Sequence, residues 1–172
     1  AAERAELLGA LDLQMIGQSI QASHAMARVH PERPMLLSLN LSAAVLESDQ
    51  HINELFALID EQPLPKGWQL QLEVLEMNLQ QPEAEIANQL NQLHQRGVLL
   101  AIDDFGTGFS SFAYLKYLQV DSVKIDGLFI RNLPNDLDNQ LFVKAIVTVA
   151  RGLHKTTIAE CVEDEETLAV FI

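Results

Sequence analysis

The feature that most restricts this chain is an alternation repeated five times along it: a short β-like run, then a stretch with helical spacing. The runs are MLLSLNLS (35–42), WQLQLEVLE (68–76), VLLAID (98–103), DSVKID (121–126) and KTTIAECV (155–162). Strand and helix in this order predict parallel strands joined by crossover helices, an α/β fold. VLLAID is almost wholly apolar, as a strand buried on both faces should be. Residues 3–28 carry Leu7, Leu8, Leu11, Met15, Ile16 and Ile20 at helical spacing. Ser42 is a predicted N-cap for a helix to about Ile59. Gln81 and Pro82 open a helix to about Arg96, and Gly97 ends it in the C′ place. SFAYLKYL (111–118) predicts a short helix, 136–153 a longer one ended by Gly152, and DEETLAVFI the start of another.

Composition narrows the function classes. The 172 residues suit one domain, and 48% hydrophobic content can fill its core. With 11 basic and 24 acidic residues the net charge is −13, which argues against DNA or RNA polymers as partners. It leaves room for an anionic ligand held through bound cations. Cys161 is the only cysteine, so no intrachain disulfide can form, and a reducing compartment is expected. No apolar run approaches the ~20 residues of a membrane span. The chain opens in a helix-like pattern without Met and stops on EETLAVFI in mid-helix, so it reads as a piece of a longer protein.

Each β-like run ends in groups able to bind metal or carry charge: Asn40; Glu73 and Glu76; Asp103 and Asp104; Lys124 and Asp126; Glu160 and Glu163. In parallel α/β folds the C-terminal ends of strands form the functional rim. Taken singly, each residue has a plainer role. Asp103 or Asp104 could cap a helix starting near Ser110, Asn40 could brace a turn, and Glu160 and Glu163 could lie in an acidic first turn. Together, so many carboxylates on one rim would repel one another unless cations offset the charge. Oxygen ligands suit Mg²⁺, Mn²⁺ or Ca²⁺, and zinc is disfavoured because all five histidines fall on predicted helices or loops. Adjacent aspartates can reach two metal ions, the apparatus of in-line phosphodiester hydrolysis, with a lysine to orient water or stabilise charge. Gly106 and Gly108 would let the backbone approach a ligand closely.

At these residues the chain resembles the EAL domain family of bacterial cyclic di-GMP phosphodiesterases. IDDFGTGFSSFAYLKYLQVDSVKIDGLFI is similar to that family's central segment, SLNLS to its Asn strand, LQLEVLE to its Glu-x-x-Glu strand and AECVE to its Ala-Glu-Gly-Val-Glu segment. The resemblance covers nearly all 172 residues. It implies a TIM-like (β/α) barrel of the EAL type. It also implies that Asn40, Glu73 and Asp103 hold one metal, with Asp103 bridging to a second that Asp104 and Glu160 also hold. Lys124 would contact the attacking water, so that Lys124, Glu160 and Asp103 form the catalytic set. Glu76 and Glu163 would brace the loop and the surroundings of the site. The loop Phe105, Gly106, Thr107, Gly108, Phe109 and Ser110 would couple the site to a homodimer contact.

The implied activity is hydrolysis of cyclic di-GMP to linear pGpG with two Mg²⁺ or Mn²⁺ ions per site. The alternative is a degenerate module that binds cyclic di-GMP, or a protein, without cleaving it. The resemblance further implies a cytoplasmic location, free or as the cytoplasmic part of a membrane-bound protein, with GGDEF, PAS or membrane sensor domains in the parent chain. Against the family pattern, the Glu-Ala-Leu strand and the C-terminal strands are expected to lie outside residues 1–172. That leaves about five parallel strands, an incomplete barrel, against the roughly eight of a full one. Leu75 stands in the usual Thr place and Cys161 in the usual Gly place.

Overall fold

The computed structural model describes residues 2–79, 84–108, 112 and 114–171. The described residues form two compact units: 2–74 with 84–100, and 75–79 with 101–171. All described strand pairings are parallel, with helices between most successive strands, so the class is α/β as the alternation predicts. In the segment expected as a short helix over 111–118, the described residues form only a 3₁₀ turn, Tyr114–Lys116.

In the first unit, helix α1 (Ala2–Val29) leads to strand β1 (Met35–Asn40), short helix α2 (Ala43–Leu46), helix α3 (Asp49–Glu61), strand β2 (Trp68–Leu75, to Val74 in this unit) and helix α4 (Ala84–Gln95). β1 and β2 pair in register from Met35↔Trp68 to Asn40↔Glu73, and the Leu41 N–H extends the ladder to the Glu73 carbonyl at 2.8 Å. Ile16, Ile20, Val45, Leu55, Leu72 and Leu93 are among its buried core residues.

One helix was expected from Ser42 to Ile59, and the structure breaks it in two. Ser48 is extended (φ −118°, ψ 113°), and its hydroxyl accepts from the His51 N–H, starting α3 afresh. Ser42 holds the N-cap position of α2 but makes no side-chain cap. Its N–H instead donates to Asp12 of α1 at 2.8 Å. Gly97 is left-handed (φ +80°) after α4, as its C′ placement requires.

In the second unit, β3 (Leu99–Phe105, from Ala101 in this unit) pairs with β4 (Ser122–Ile125), and β4 with β5 (Thr156–Ala159). Between and beyond them lie α5 (Gly127–Ile130), α6 (Leu137–Gly152) and α7 (Glu165–Ala169). Phe105, Val123, Ile125, Leu133 and Ile146 are buried among its core residues. Asp136 caps α6 by accepting from the Asn139 N–H at 2.9 Å. Gly152 is the last helical residue, and the left-handed residue after α6 is His154 (φ 59°), not the expected glycine. β2 stops one residue early: Glu76 begins a 3₁₀ turn to Leu79. β5 stops at Ala159 rather than at Val162, with the Glu160 N–H still bonded to the Ile125 carbonyl. The predicted helix openings at Gln81, Pro82 and Ser110 lie outside the described residues. No helix among the described residues is long and apolar enough to cross a membrane.

Candidate metal centre

Two adjacent residues of a regular strand point to opposite faces. Asp103 and Asp104 escape that rule through a β-bulge. The register runs Ala101↔Ser122 and Ile102↔Val123, then jumps to Phe105↔Ile125, so both aspartates oppose Lys124 alone. Asp104 takes the left-handed conformation (φ 54°), which aspartate tolerates better than most residues. Glu160 follows β5, its N–H bonded to the Ile125 carbonyl at 3.2 Å. Asp103, Asp104 and Glu160 thereby each offer one oxygen, all within 4.8 Å of one another. Lys124 Nζ lies 2.7 Å from Asp103 Oδ1 and 2.8 Å from Glu160 Oε1, partly shielded from solvent.

The crowding has an electrostatic signature. Burial pushes the Asp104 carboxyl above the usual range, helped by a hydrogen bond with Asp126 and by the charges of Asp103, Asp126 and Glu160. A divalent cation would relieve that cost, and an all-carboxylate set fits a hard ion. Asp126 also accepts from the Leu128 N–H at 2.6 Å and so opens α5. Its contact with Asp104 was not expected. The visible signal was its place two residues after Lys124 in DSVKID.

Glu76 is fully buried, and its Oε2 accepts from the N–H groups of Gly106 (2.8 Å) and Gly108 (3.2 Å). Gly106 is left-handed (φ +105°), and a Cβ there would come 2.7 Å from the Phe129 ring. The Thr107 hydroxyl donates to the Asp104 carbonyl at 2.9 Å, and Phe105 is wholly buried. Phe109 and Ser110 lie outside the described residues. Glu163 is exposed and 3.9 Å from Arg131 Nε, and Arg131 also donates to the Cys161 sulfur at 3.3 Å. Cys161 is left-handed (φ 54°), the conformation in which glycine is most at ease.

In the first unit, Asn40 and Glu73 are register partners at the C-terminal ends of the β1–β2 pair. Asn40 is exposed, and Glu73 is half-buried with its Oε1 bonded by the Ser38 hydroxyl. The structure thus gathers Asp103, Asp104, Lys124 and Glu160, sets Asn40 beside Glu73, ties Glu76 to the glycine loop and places Glu163 on Arg131. Ser38 was not singled out in the sequence, where it reads as an ordinary strand serine.

Comparison with known proteins identifies the family. The EAL domain family model matches residues 1–172. A protein of Escherichia coli (strain K12) named "Probable cyclic di-GMP phosphodiesterase PdeG" is 30% identical over 167 residues, 97% of this chain. The chain spans 32% of that relative's length. The crystal structure of the EAL domain of Mycobacterium smegmatis DcpA matches with a TM-score of 0.81 at 30% identity, covering 97% of this chain and 73% of that one. A c-di-GMP complex of the PaMucR phosphodiesterase matches with a TM-score of 0.83 at 31% identity, covering 99% and 68%. These likenesses place the five parallel strands in the TIM-like α/β fold class of EAL domains. On a family match over its whole length, joined to a carboxylate cluster at the ends of its strands, the chain belongs to the EAL domain family.

Proposed function

We propose that the protein carrying this chain hydrolyses cyclic di-GMP to linear pGpG with two Mg²⁺ or Mn²⁺ ions. The observation that carries this reading is the oxygen cluster of Asp103, Asp104 and Glu160, with Lys124 Nζ within 2.8 Å of two of its members. The names of the relatives and the ligand of the PaMucR structure support the substrate.

Asp103, Asp104 and Glu160 would hold cations, and we assign Asn40 and Glu73 to cation binding as well. Divalent ions, when bound, polarise the phosphoryl oxygen and lower the pKa of a water. Lys124 has three N–H donors, two of them directed at Asp103 and Glu160. The ammonium charge beside these carboxylates can orient a water or meet charge building on a phosphoryl oxygen. One water adds across a P–O ester bond of the cyclic dinucleotide, so a bond to phosphorus forms as the ring ester breaks. Glu76 holds the backbone after Asp104 in place through Gly106 and Gly108. We assign that loop to a homodimer contact, Glu163 to support of the site through Arg131, and the protein to the cytoplasm beside GGDEF, PAS or membrane sensor domains.

The test is turnover by the full-length protein with cyclic di-GMP and Mn²⁺, followed by nucleotide chromatography. The expected product is pGpG, with kcat falling about 100-fold or more in Lys124→Met. Absence of pGpG from the wild type, with cyclic di-GMP intact, overturns the reading.

A further inference from the structure

The face of the β1–β2 pair that carries Asn40 and Glu73 stays polar one step back along the strands. Ser38 and Gln71 are register partners there, immediately before the Asn40↔Glu73 pair. The Ser38 hydroxyl donates to Glu73 Oε1 at 2.5 Å. Gln71 Nε2 donates to Ser38 Oγ at 2.9 Å, with a longer approach to Glu73 Oε1 at 3.5 Å. Gln71 is 5% exposed, unusual for a glutamine on a strand, and a buried amide must be hydrogen-bonded to be tolerated.

The direction of this chain of bonds follows from donor counting. A serine hydroxyl has one proton. With Gln71 donating into the Ser38 oxygen, that proton goes to Glu73, which as a carboxylate only accepts. The Oε1 atom of Glu73 is therefore tied to the strand pair. A metal-binding carboxylate needs this kind of support, because partners behind a ligand fix its orientation.

We propose that Ser38 and Gln71 are positioning residues for Glu73, which they hold in the pose that binds a divalent cation. The proposal rests on the reading above in taking Glu73 as a cation ligand. Neither residue touches substrate, and both act through the Glu73 carboxylate.

The experiment measures Mn²⁺ binding to the full-length protein by electron paramagnetic resonance of free Mn²⁺, without substrate, alongside thermal unfolding in EDTA. Ser38→Ala should weaken Mn²⁺ binding about 10-fold or more, within the range typical for partners of metal ligands. Cooperative unfolding in EDTA above the assay temperature should show that Ser38→Ala is still folded, and Ser38→Thr, which keeps the hydroxyl, should recover the affinity. Gln71→Met should weaken binding less, and the double variant should bind like Ser38→Ala alone, because Gln71 acts through the serine. Wild-type affinity in Ser38→Ala, or no recovery in Ser38→Thr, overturns the proposal. So does wild-type affinity in Glu73→Gln, since Glu73 would then hold no ion. Mn²⁺ binding that follows the expected pattern while no pGpG forms overturns the hydrolase reading alone.

Discussion

Glu76 is a carboxylate without solvent exposure, and two backbone N–H groups of the glycine loop meet its Oε2. Hydrogen bonds to a charged acceptor are worth more than neutral ones, and removing the acceptor strands both donors. Glu76→Ala should therefore destabilise the protein by about 3 kcal/mol. Urea unfolding checks the size, and amide exchange at Gly106 and Gly108 should speed up in step. A loss below about 1 kcal/mol would mean that the loop is held by other contacts. From the sequence, Glu76 was legible as a carboxylate near the site. Its burial was not, because that depends on β2 ending at Leu75 and turning into a 3₁₀ helix.

At the scale of elements, ends and irregularities decide the chemistry. The β3 bulge puts two consecutive carboxylates opposite one lysine. Without it, one of them would face away. The start of α7 offers a pH-dependent case. Asp164 accepts from the Thr167 N–H at 2.7 Å, and hydrogen bonds from the Thr167 backbone and hydroxyl hold its carboxyl below the usual value. Because the folded value is depressed, the cap's stabilisation is complete above the unfolded carboxylate value of about 3.9 and is lost as pH falls through the folded value. Asp164→Asn, a comparable cap without a titrating charge, should keep the protection of the Thr167 and Leu168 amides level through that acid range. Asp164→Ala should lose protection at every pH. Hydrogen exchange followed by NMR reads both, and a wild-type profile in Asp164→Ala would show that the cap contributes nothing.

For the molecule as a whole, 24 acidic against 11 basic residues make divalent cations natural stabilisers. An ion that binds the folded state alone adds stability by mass action, about 2.7 kcal/mol at a concentration one hundred times its Kd. Mn²⁺ should raise the unfolding temperature and EDTA should reverse the rise. The double variant Asp103→Asn, Glu160→Gln should respond far less. Equal unfolding temperatures with Mn²⁺ and with EDTA in the wild type would show that the carboxylates hold no ion.

Much of this is legible in the amino-acid sequence. The alternation of β-like and helical runs determined the α/β class, since side-chain periodicity is written directly into residue order. The positions of Asn40, Glu73, Asp103, Asp104, Lys124 and Glu160 near strand ends followed from the same pattern. Tertiary structure alone decided three further matters. It brought the Asp103 and Asp104 carboxylates together through one unpaired residue of β3, buried Glu76 under the glycine loop, and ran the bonds from Gln71 through Ser38 to Glu73. Each depends on which residues of distant segments stand in register. Registers are set by packing between strands, and no local run of sequence contains that information.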